Sequence, residues 1–139
     1  MSYATQQDMI DRFGEGELLA LADRDGDGTI DAAMVERALA DAAGLIDSYI
    51  GARYALPLVA VPSQLTSAAC DVARWRLYTD APHERVESAY KAAVAWLKDI
   101  QAGRADLDAD GIEPAADSAG APVHQAAPRV FCAQTLKDY

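Results

Sequence analysis

Between Met34 and Ile50 the apolar residues return every three or four positions: Met34, Val35, Ala38, Leu39, Ala42, Leu45, Ile46, Tyr49 and Ile50. That period belongs to one face of an α-helix, and a stripe about five turns long needs a partner surface to cover it. Glu36, Arg37, Asp41 and Asp47 lie off the stripe. Two further stretches repeat the pattern. Leu65, Ala68, Ala69, Val72, Trp75 and, less regularly, Leu77 mark a helix over 64–79 with Ser63 as its cap. Val86, Tyr90, Ala93, Val94, Leu97 and Ile100 mark another over 83–102, with Pro82 suited to its first turn and Gly103 closing it. The first helix spans 32–51, with Gly51 as its stop signal. Three such rods cover one another, so the expected fold is all-α: a small helical bundle.

The flanks add detail. Thr5 is a plausible N-cap for a short helix over 5–12, with Asp8 in its first turn and Gly14 ending it. Glu15–Ala22 reads as a second short helical piece. ARYALPLVAVPS, 52–63, is an extended connector, because Pro57 and Pro62 each remove a donor and restrict the residue before them. Tyr54 and Leu56 either tuck beneath that connector or, with Arg53, form an interface loop. Beyond Gly103 the chain is Ala, Asp, Pro and Gly to residue 128 and reads as a mobile linker. RVFCAQTLKDY, 129–139, regains apolar weight in Val130, Phe131, Leu136 and Tyr139 beside Arg129. It is expected to dock on another surface. The organisation is therefore a helical domain over 1–103, a linker over 104–128 and a docking segment over 129–139.

DRDGDGTID, 23–31, looks like half of a calcium loop. Counted from Asp23, the residues Asp25, Asp27, Thr29 and Asp31 fill the ligand positions 3, 5, 7 and 9 of an EF-hand, and Gly28 takes position 6. Position 12 is Met34, and a thioether cannot replace a bidentate carboxylate for a hard cation. The alternative is a solvated Asp/Gly turn with Asp31 as N-cap of the long helix. The choice is between a structural calcium site with no other cofactor and no cofactor at all.

Charge and motifs narrow the function. A net charge of −10 and a pI of about 4.4, without a basic stripe, argue against clamping nucleic acid, because phosphate binding needs Lys and Arg. DNA could still slide past such a surface without sticking. Cys70 reads as a buried small hydrophobe and Cys132 as a free thiol. His83 and His124 have no ligand-spaced partner. No secretory signal, membrane span or catalytic constellation is expected.

Several stretches, taken in order, resemble the Mu-like prophage head–tail connector group. They are YATQQDMIDRFGEGELLALADRDGDGTID, IDSYIGARYALPL, VPSQLTSAACDVARWRLY, ESAYKAAVAWLKDIQAG and PRVFCAQTLKDY. The resemblance implies a structural virion protein with no enzymatic activity, similar to the adaptor or head-completion proteins of long-tailed phages. Such subunits form a ring, commonly dodecameric, below the portal protein at the neck. There they extend the DNA channel and meet the tail-side neck proteins. On that reading the partner-facing residues are Arg53, Tyr54, Leu56, Arg129, Val130, Phe131, Leu136 and Tyr139. The competing reading is a calcium-binding regulatory module built on 23–34.

Overall fold

The amphipathic stretches become helices in the computed structural model, which describes residues 2–114. In chain order they are α1 (Gln6–Phe13), α2 (Glu15–Ala22), α3 (Ala32–Ile50), α4 (Ser63–Leu77) and α5 (Glu84–Gln101). Among the described residues every regular element is helical, and no helix is long and apolar enough to cross a membrane.

The helix ends follow from local chemistry. Thr5 caps α1 with its hydroxyl, and the Asp8 carboxylate reaches back to the Thr5 backbone N–H, a reciprocal capping box. These bonds hold the exposed Asp8 carboxyl below the usual carboxylate range. Asp31 caps α3 by accepting from Met34 N at 3.3 Å. Ser63 departs from expectation: it is the first helical residue of α4, and Pro62 takes the cap position. Pro62 has no donor to leave unsatisfied, and its fixed φ suits an extended cap. Likewise α5 is preceded by His83, with Pro82 outside the helix.

The core sits where α3, α4 and α5 meet. Val35, Ile46 and Ile50 of α3 face Leu65, Val72 and Leu77 of α4 and Leu97 and Ile100 of α5, all buried. Alanines at 38, 42, 43, 68, 69, 73 and 93 are buried between them, so the helices approach closely. α1 and α2 close one side through Met9, Leu18 and Ala22. No polar or charged residue is buried among those described. Trp75 and Tyr90 stack across α4 and α5 with ring centroids 4.2 Å apart, half-exposed at the core edge. Arg74 pairs with Glu17 and lies over the Phe13 ring, tying α4 to the N-terminal helices. Arg74 takes this long-range partner although Asp71, three residues before it, carries the opposite charge.

The packed chain does not stop at Gly103. Leu107 is buried, and Ala105 and Ile112 rest against the core. The first part of the expected linker thus belongs to the helical body. Cys70 is buried too, and burial pushes its thiol up to about 11, which keeps it protonated and unreactive. Cys132, His124 and the segment 129–139 lie outside the described residues.

Candidate interaction surface

The Asp/Gly loop is built by its own backbone. Asp23 accepts from the N–H groups of Gly26, Asp27 and Gly28 at 2.8–3.0 Å. Asp27 accepts from the Thr29 N–H and hydroxyl at 2.8 and 2.7 Å, which lowers its carboxyl pKa. Gly26 and Gly28 sit at φ +74° and +80°, where a side chain would be strained. Carboxylate oxygens of Asp23, Asp25 and Asp27 lie within 4.8 Å of one another. Asp31 instead turns to its capping bond, the Thr29 side chain is engaged with Asp27, and Met34 packs half-buried against the core. Hydrogen bonds within the turn shape it, and at its far end the Asp31 carboxylate is engaged as a cap while position 12 of the calcium pattern is the Met34 thioether. Asp31→Ala is expected to cost about 1 kcal/mol of stability. Thermal melts in a chelator-containing buffer check this, since the cap needs no metal.

Arg53 and Tyr54 face inward. The Arg53 guanidinium donates to the carbonyls of Ile100 (2.7 Å) and Ala105 (3.0 Å) and pairs with Asp106 at 2.8 Å. It thereby ties the Ile100 carbonyl, in the last turn of α5 and also bonded by the Gly103 N–H, to the Ala105 carbonyl just past the helix. Tyr54 is buried, and its hydroxyl accepts from Leu107 N at 3.0 Å. Together they clasp residues 105–107 to the start of the α3–α4 connector.

The rest of that connector faces out. Leu56 is 39% exposed and Val59 is 87% exposed, and they are the exposed large hydrophobics of the described chain. Leu58 between them is buried and anchors the loop. The sequence reading names Leu56 but misses Val59. One signal was available: from Tyr54 to Cys70 there is no charged side chain, the longest such run in an acidic chain.

On another side, residues 2–6 run along α3 and leave an open groove of about 660 Å³. It is lined by Ala4, Leu39, Ala40, Ala43 and Gly44 and, in equal number, by Ser2, Thr5, Gln6, Glu36 and Asp47. Tyr3 secures this N-terminal strap. Its ring is buried and its hydroxyl donates to Asp47. Burial first, then the Asp47 hydrogen bond and charge, raise the Tyr3 pKa well above the ordinary tyrosine value. A raised pKa in the fold means the contribution is present in full below about pH 10 and is lost as pH climbs above it. Tyr3→Phe should cost about 1 kcal/mol at pH 7. The gap to the wild type should narrow above pH 10 in paired chemical denaturations.

Comparison with known proteins bears on what such surfaces serve. Residues 3–125 match the family model described as "Bacteriophage Mu, Gp36". The chain is 39% identical over 107 residues to "Gene product J" of Escherichia phage Mu, covering 76% of each chain. It is 28% identical over 137 residues to "Mu-like prophage FluMu protein gp36" of Haemophilus influenzae, covering 99% of this chain and 97% of that one.

Proposed function

This chain belongs to the Bacteriophage Mu Gp36 family, and on that premise we propose that it is a structural component of the phage particle: a head–tail connector subunit. In this reading several copies form a ring below the portal protein, extend the DNA channel and present a face to the tail-side neck proteins. The observation that carries the reading is the outward-turned, uncharged connector on an otherwise acidic helical body, in a chain of Mu-like phage descent. A subunit that works by contact needs spare apolar surface, and Leu56 and Val59 supply it. An acidic channel wall would also let DNA pass without adhering.

The test is to image intact particles in which this chain carries a small epitope label. Label is expected in a ring at the head–tail junction. Label on the capsid shell or distal tail, or none in the particle, overturns the reading.

A further inference from the structure

The connector loop has a neighbour that limits what can cover it. Ala55, Leu56, Pro57, Val59 and Ala60 are exposed on the loop, and all five are apolar. Leu56 follows Tyr54 by two residues, a separation of about 7 Å at most, and the Tyr54 hydroxyl holds Leu107. The stretch past Leu107 therefore starts alongside the loop, and it is acidic. Asp108, Asp110 and Glu113 are exposed, and no cation of the described residues pairs with them. The Arg53 charge at this corner is already met by Asp106. A ligand for this surface must be apolar, to cover Leu56 and Val59, and basic, to face the carboxylates.

One segment of the chain has that chemistry. Residues 129–137, RVFCAQTLK, carry Val130, Phe131 and Leu136 together with Arg129 and Lys137. The sole acidic side chain of 129–139, Asp138, comes after them, in a chain whose net charge is −10. Length favours the same subunit. The described body ends at residue 114, seven positions beyond Leu107, and the fourteen residues 115–128 lead to Arg129. A linker of that length spans about 20 Å, enough to return to a loop beside which the exit stretch begins. So tethered, the segment meets its own loop at an effective concentration in the millimolar range, whereas the segment of a second copy meets it about a thousandfold more dilute at micromolar protein.

We propose that residues 129–137 fold back onto the Leu56–Val59 loop of their own chain and cover it in the lone subunit. The inference goes beyond the connector reading and does not depend on it. It gives the segment a role before assembly, because an exposed apolar loop that would join copies prematurely is kept covered. Where many copies gather, neighbouring surfaces reach local concentrations that rival the tether, and the segment can exchange its own loop for one of theirs.

Cys132 supplies a reporter. It lies within the segment, and the Cys70 thiol is buried, so a nitroxide label goes onto Cys132 of the full chain. The backbone amides of Leu56, Leu58 and Val59 should lose most of their NMR intensity to the label, by the same fraction at every protein dilution. Phe131→Asp, which leaves every described residue unchanged, should restore that intensity on the same tether. Val59→Asp should restore it at Leu56 and Leu58, and the paired change Arg129→Glu with Lys137→Glu should restore it at all three. Amides that the label leaves untouched, or a loss that survives Phe131→Asp, overturn the proposal. So does a loss seen only on mixing labelled chain with isotope-enriched unlabelled chain, which assigns the loop to a second copy. A chain found at the neck without this broadening sinks the cover and leaves the connector reading standing.

Discussion

A chain ending at Pro128 is expected to fold as the full-length protein does and to stay out of phage particles. Folding should survive because the helices and the core of the described residues lie well before the truncation. Its core lies among α1 to α5, and the last described residue resting on it is Ile112. Melting temperatures of the two forms should agree within a few degrees. Incorporation is another matter. Residues 129–139 carry Val130, Phe131, Leu136 and Tyr139 after a long stretch poor in large apolar residues. An apolar segment with that placement suits capture by a neighbouring surface, where such segments order on binding. Co-expression of tagged full-length and shortened chains during particle assembly reads the effect directly. The shortened form should fall at least tenfold in purified particles. Equal incorporation would remove the segment from the assembly mechanism.

Arg53→Ala is expected to cost about 2–3 kcal/mol of folding stability, far more than an ordinary surface arginine. Most surface ion pairs contribute little, and the pair with exposed Asp106 is of that kind. The larger effect comes from the carbonyls of Ile100 and Ala105, which lose their guanidinium donor. The clasp on Leu107 should loosen as well, so limited proteolysis should cut near residues 104–112 in the variant before it cuts the wild type. Asp106→Ala is the matched control and should cost under 1 kcal/mol. Equal losses for the two would assign the stability to the ion pair and refute a role for the carbonyl bonds.

What could be read from the chain beforehand divides by range. The helices follow from periodicity, and their ends from Thr5, Asp8, Gly14 and Asp31, because capping bonds join residues three or four apart. The same short range explains the Asp/Gly turn, whose bonds span at most five residues. Partner choice across the chain was not legible. Arg74 had a neighbour of opposite charge at Asp71, yet it pairs with Glu17 on another helix. Asp71 remains half-buried, and desolvation raises its carboxyl pKa. Leu107 stands alone among aspartates, so nothing in its surroundings announced burial. It is covered because Tyr54, distant in sequence, bonds its amide. For Arg53 and Tyr54 the connector left two readings open, and the inward one holds for the same reason. Among the surface candidates, Leu56 was legible because proline keeps its loop out of the helices, whereas Val59 needed coordinates to show how far it projects.

The guanidinium of Arg53 grips the polypeptide at Ile100 and again at Ala105 and Asp106, just past the end of α5. Tension applied from the C-terminal side would therefore meet Ile112, Leu107 and then this side chain before it strained any helix. Its other end is bonded into the backbone that leads directly to Leu56 and Val59. A pull on the exit strand would be relayed to the projecting loop, so mechanical load at one end of the subunit would be felt at the other.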